Sequence, residues 1–137
     1  MKIINIALTS QNGGLEQSCL DYCIILKQMG HEVLAILKNN APYIKQFIDA
    51  KIPVKIINNR FGYFDIFAIK QIKTIINQFE PNVIISNGGR SQYLVKNSLK
   101  TMRLPQIISF ASNFVVILFF SSLWMSISTL VAKKENA

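Results

Sequence analysis

The chain has 137 residues, enough for one sizeable hydrophobic core but not for two full domains. Half of the residues are hydrophobic and 16% are charged, which excludes a disordered chain and leaves either a domain with a buried sheet or a membrane-associated one. The net charge of +8 favours anionic partners, but the lysines are scattered and no arginine-rich or aromatic signature accompanies them, so a nucleic-acid partner is not expected; a solvated surface, a membrane surface or a phosphate-bearing ligand stay open.

From the N-terminus, short β-branched runs alternate with longer amphipathic stretches, the pattern of a parallel sheet covered by helices. Strands are predicted at 2–8, 32–37, 53–57, 82–86 and 106–110, nearly all of consecutive apolar residues, as strands buried on both faces require. Helices are predicted at 15–29, 42–50, 65–79 and 91–102. The first carries Leu15, Cys19, Tyr22, Cys23, Leu26 and Met29 on one face and stops at Gly30, a residue suited to the left-handed position after a helix. The third carries Ile66, Ile69, Ile72, Ile75, Ile76 and Phe79 as its core stripe, with Asp65 as N-cap and Pro81 just beyond its end. The expected fold is therefore α/β: a Rossmann-like three-layer αβα domain over 1–109, with a mostly parallel sheet of about five strands, followed by a hydrophobic C-terminal segment over 110–137.

That last segment has three readings. Between Arg103 and Lys133 no residue is charged, and 21 residues of helix over 110–130 would reach about 31 Å, close to a bilayer's hydrocarbon thickness. Its serines and Asn113 lower the hydrophobicity, so a helix packed on the sheet and a tail never selected to fold stand beside a membrane span. The N-terminus has a single charge and a very short apolar run, so it is read as a first strand rather than a signal peptide. Cys19 and Cys23, four apart on an apolar helical face, are read as core thiols of a reducing cytoplasm, and no metal is expected without a second Cys or His pair.

In an open parallel sheet, ligands bind beyond the carboxyl ends of the strands, near the point where the strand order reverses. Two loops belong there. Thr9-Ser10-Gln11-Asn12-Gly13-Gly14 follows the first strand and opens a helix, and Asn87-Gly88-Gly89-Arg90-Ser91 follows the fourth and opens another. Glycines let such a backbone approach an anion, helix N-termini stabilise negative charge, and Arg90 is suited to phosphate or carboxylate. Other chemistries lack parts. There is no G-x-G-x-x-G with an acidic residue after the second strand, so NAD is not expected, and no G-K-S or G-K-T of a nucleotide hydrolase. The sole histidine, His31, sits in a turn before the second strand and is read as structural; of the carboxylates only Glu16 is placed to face a cleft, so paired-carboxylate catalysis lacks a partner.

Gly13-Gly14-Leu15-Glu16-Gln17-Ser18, a helix, then Met29-Gly30-His31-Glu32-Val33 resembles the opening of family 4 glycosyltransferases of the GT-B fold, and Glu80-Pro81-Asn82-Val83-Ile84-Ile85-Ser86-Asn87-Gly88 resembles their segment at the fourth strand. The resemblance covers residues 1 to about 109. It implies an N-terminal, acceptor-side domain, with phosphate approach by Gly13 and Gly14 and acceptor or cleft contacts by Asn12, Glu16, Asn87, Gly88 and Arg90. It also implies a nucleotide-sugar donor, a lipid or saccharide acceptor, no resident cofactor, and a cytoplasmic location, free or at the cytoplasmic membrane. Two departures bear on activity. Ser109, Phe110, Ala111 and Ser112 stand where family members often carry a histidine, and no two glutamates have the spacing of eight found in the family's donor domain. The expectation is thus a fragment inactive by itself, truncated or completed in trans, with a membrane-anchored module that binds a phosphorylated ligand or a partner protein as the alternative.

Overall fold

The computed structural model describes residues 1–100, 106–111 and 114–117, and for the last two stretches it gives the backbone pairing. In chain order the elements are β1 (Lys2–Ala7), α1 (Gly14–Gln28), β2 (Glu32–Lys38), α2 (Ile44–Asp49), β3 (Val54–Ile57), a 3-10 turn (Gly62–Phe64), α3 (Ile66–Phe79), β4 (Val83–Asn87), α4 (Gly89–Ser98), β5 (Gln106–Ala111) and β6 (Phe114–Ile117). They form one sheet in the order β3-β2-β1-β4-β5-β6. The pairs from β3 to β5 are parallel and β5–β6 is antiparallel, with Ala111 opposite Phe114.

The alternation of side chains along β1 divides the core in two. Ile3 and Ala7, with Val33, Leu37 and Ile85 of the neighbouring strands, pack against Cys19, Cys23 and Leu26 of α1 and Phe47 of α2. Ile4 and Ile6, with Leu34, Ile36 and Ile84, pack against Ile72 and Ile76 of α3 and Leu94 and Val95 of α4. This is the expected three-layer Rossmann-like arrangement. It exists because β1, β2 and β4 are apolar on both faces and each helix offers one apolar stripe to one of them. α1 ends in a Schellman motif: Gly30 adopts φ +87°, and the His31 and Gly30 amides donate to the carbonyls of Leu26 and Lys27.

Four expectations need correction. The stripe of α3 does not begin at Ile66, which is 65% exposed; Ile72 and Ile76 are buried, and Ile69, Ile75 and Phe79 only partly so. Met29 of the first helical face is likewise exposed, while Leu20 is buried in its place. β3 is an edge strand, so Lys55 and Ile56 face outward instead of being buried on both faces. Finally, the sheet runs past residue 109 through β5 and β6, so the first residues of the 110–130 segment pair as strands and do not start a helix. The remainder of that segment, 118–137, and residues 101–102 of the fourth helix lie outside the described residues. Among the described residues no helix is long and apolar enough to cross a membrane.

Candidate functional site

The strand order reverses between β1 and β4: the chain moves from β1 outward through β2 and β3, then returns to β4 on the other side. The loops leaving β1 and β4 are therefore side by side, and each opens a helix. They enclose a cleft of about 570 Å³ lined by Leu8–Gln11, Gly13–Glu16, Tyr63 and Asn87–Ser91. Of the residues singled out from sequence, Gly13, Gly14, Glu16, Asn87, Gly88 and Arg90 meet in this cleft. Asn12 does not line it and is exposed.

Glu16 is held in a different role from that of a ligand contact. It is 4% exposed, its Oε2 accepts the Gly13 amide at 2.8 Å, and its Oε1 accepts the Thr9 hydroxyl. This is the reach-back half of a capping box, so the carboxylate fixes the loop at the start of α1. A second brace comes from Tyr43, whose hydroxyl lies 2.9 Å from the Thr9 carbonyl and 3.3 Å from that of Ala7. Burial pushes the Tyr43 phenol up from its ordinary pKa, against the opposing hydrogen bonds of Thr9.

The β4 side is built as tightly. Asn87 is 2% exposed, and its Nδ2 donates to Asn5 Oδ1 at 2.5 Å and to the Ile6 carbonyl at 3.0 Å, so it orders the floor of the cleft. Ser91 Oγ accepts the Leu8 amide at 3.1 Å, tying the first turn of α4 to the end of β1. Gly88 has φ +81° and ψ 157°, a conformation almost confined to glycine, and a Cβ there would stand 3.4 Å from Leu15 Cδ1. Arg90 lies over the Tyr63 ring, 5.9 Å from its centroid, with Nη1 3.5 Å from the Leu8 carbonyl.

Two helix N-termini, a row of glycine backbone and one guanidinium thus face one space, in which negative charge is stabilised and positive charge is not. Tyr63, from the β3–α3 connection, was not foreseen as a wall of it. Its only sequence signal is the aromatic run Phe61-Gly62-Tyr63-Phe64 just before the N-cap Asp65.

The other residues singled out lie elsewhere. His31 Nδ1 is 3.3 Å from the N-terminal amine; partial burial, and then the amine's charge, lower its pKa, consistent with a structural role at the opposite end of the sheet. Cys19 and Cys23 are free and buried, and their mutual hydrogen bond together with burial raises the Cys19 thiol well above its ordinary value.

No family model and no curated protein sequence matches the chain. Solved structures do. A glycosyltransferase from Rickettsia africae is 17% identical over 74% of this chain, with a TM-score of 0.62. HepE from Anabaena, solved in complex with UDP and glucose, is 18% identical over 72%, with a TM-score of 0.57. The chain spans only 27% and 26% of those two proteins, so about a quarter of their length. At this identity the likeness establishes a shared fold: the α/β architecture is one found in glycosyltransferases.

Proposed function

We propose that this chain forms the acceptor-side half of a glycosyltransferase that takes its sugar from a nucleotide-sugar donor. The observation that carries the reading is the cleft at the β1/β4 crossing, where the N-termini of α1 and α4 and the Arg90 guanidinium converge on one anion-favouring space. The fold shared with glycosyltransferases supports it, as does the sequence resemblance to family 4 over residues 1–109.

In this reading the backbone at Gly13 and Gly14 approaches the donor diphosphate, with the Gly13 amide held by Glu16 and the Gly14 amide left to meet charge that grows as the glycosidic bond to the leaving phosphate breaks. Gly88 contacts the acceptor, Arg90 faces the phosphate charge across the cleft, and Asn87 and Glu16 act as positioning residues that hold the two loops. One Rossmann-like domain presents one wall of such a site. Residues 1–137 alone are therefore expected to bind a nucleoside diphosphate weakly and to transfer no sugar until a donor domain is supplied, on the same chain or in trans.

The test is calorimetric titration of the purified chain with UDP, dTDP and inorganic phosphate. Saturable binding that Arg90→Ala weakens by about tenfold, in line with the loss of one charge-assisted contact, supports the reading. Absence of any binding at millimolar nucleotide, or turnover of UDP-glucose by the chain alone, overturns it.

A further inference from the structure

The β3–α3 connection carries an apolar surface that neither the core nor the cleft uses. Phe61 is 68% exposed, Phe64 81%, Ile66 65% and Phe67 69%, four large apolar side chains within seven residues. Burying them inside the domain is blocked by the loop's own construction. Asp65, which is itself buried, accepts the amides of Arg60 and Phe61 with one oxygen and that of Ala68 with the other, so the segment is cinched around its carboxylate and the neighbouring side chains are turned outward. Tyr63 and Phe64 then rest edge-on against Tyr93 of α4 at 5.7 and 6.3 Å, which fixes the segment on the domain. The result is a braced apolar projection.

Its electrostatic setting selects the occupant. Among the described residues, the exposed carboxylates Glu32, Asp49 and Glu80 lie toward the amino end of the sheet, and Asp21 lies midway along α1. At the carboxyl end the two carboxylates, Glu16 and Asp65, are buried and occupied by amides, while Lys38, Arg60, Lys70 and Arg90 carry positive charge. Between Phe61 and Phe67 a hollow of about 290 Å³ is lined also by Arg60, Asn58, Gln71 and Asp65. A saccharide would ask such a surface for free hydroxyl and amide partners around a concave platform; in the hollow Gln71 Oε1 already accepts the Asn58 backbone amide and Asn58 Oδ1 the Asn39 side-chain amide, and the projecting phenylalanine and isoleucine side chains offer none. Apolar side chains that project beside cations, with no exposed carboxylate near them, match the boundary between headgroups and acyl chains in an anionic bilayer.

We infer that Phe61, Phe64, Ile66 and Phe67, flanked by Arg60 and Lys70, form a peripheral docking surface for anionic lipid bilayers. The rings enter the interface and the Arg60 guanidinium meets a lipid phosphate. The inference does not depend on sugar transfer. Joined to it, the docking would set the mouth of the cleft beside the membrane, because Tyr63 belongs to both surfaces.

The test must separate this surface from the apolar 110–130 segment, which holds the sole tryptophan, Trp124. In the full chain, Trp124→Phe combined with Phe64→Trp places one indole on the projection. With phosphatidylglycerol vesicles its emission is expected to shift to the blue and to be quenched by brominated acyl chains, and Arg60→Glu is expected to weaken binding by about tenfold or more. Phosphatidylcholine vesicles are expected to bind far more weakly. The inference is overturned if the emission does not move, if the chain sediments with vesicles while the indole stays unquenched, or if both lipids bind equally. Because these side chains are exposed, a Phe61→Ser, Phe64→Ser, Phe67→Ser variant keeps its fold and gives the same answer by sedimentation.

Discussion

The side-chain amides of Asn5 and Asn87 meet across the β1–β4 pair, with Asn87 Nδ2 donating to Asn5 Oδ1 at 2.5 Å in a part of the sheet that excludes water. Asn5 in turn donates through Nδ2 to the Cys19 carbonyl at 3.1 Å and to Cys23 Sγ at 3.4 Å. One polar link therefore joins the floor of the cleft, two central strands and the middle of α1. Apolar residues of similar shape at both positions together would serve the core nearly as well, so the pair is better understood as fixing the site's geometry than as adding stability.

Asn5→Ala removes the acceptor of the Asn87 amide and the donor to α1. It is expected to destabilise the fold by about 1–3 kcal/mol, the cost of leaving a buried polar group unpaired. Asn87→Ala should cost a similar amount, and the double variant less than the sum, because each single change already breaks the shared bond. Urea unfolding of the four proteins measures the coupling; strict additivity would mean that the contact does not contribute.

Two of the cleft glycines, Gly14 and Gly88, are expected to respond differently to alanine. Gly88→Ala forces a side chain into a glycine-only conformation and should lose about 1–3 kcal/mol of stability. At Gly14 a Cβ meets nothing within 4 Å, so Gly14→Ala should leave the melting temperature unchanged. Gly14 nonetheless lines the cleft, and UDP binding should fall several-fold. Thermal melts and titration on the same samples read the two effects separately.

Asp65 supplies a pH dependence. Burial by itself would raise its pKa, but the hydrogen bonds from Ala68, Phe61, Arg60 and Asn59 outweigh it and hold the carboxyl below its ordinary value of 3.8. A carboxylate with a depressed folded pKa stabilises the fold fully above the unfolded value, and that stability is lost as pH falls through the folded one. Asp65→Asn should therefore be less stable than the parent at pH 7 by about 1 kcal/mol, the size of a lost helix cap, and the gap should close as the pH drops below 3.8. Unfolding curves of both proteins from pH 7 to pH 3 check the sign.

Much of this molecule was determined by its sequence within short reach. The apolar runs set β1 to β5, Gly30 and Asp65 set helix ends, and the two glycine loops marked the carboxyl edge where a site could form, because helix and strand periodicities act over a few neighbouring residues. β6 escapes a sequence reading because the apolar run from Phe110 fits a helix or a tail as well, although Phe114-Val115-Val116-Ile117 is rich in β-branched residues. What only the tertiary structure decided were partnerships between distant positions. Asn5 and Asn87 are 82 residues apart, and nothing local pairs them; Glu16 turned from ligand candidate to cap because Thr9 and Gly13 curl back over it. Ile66 left the core stripe because the segment around Asp65 is pinned against α4, a contact that no local pattern contains. Polar pairing and exposure depend on which elements the topology brings together, and hydrophobic periodicity does not carry that information.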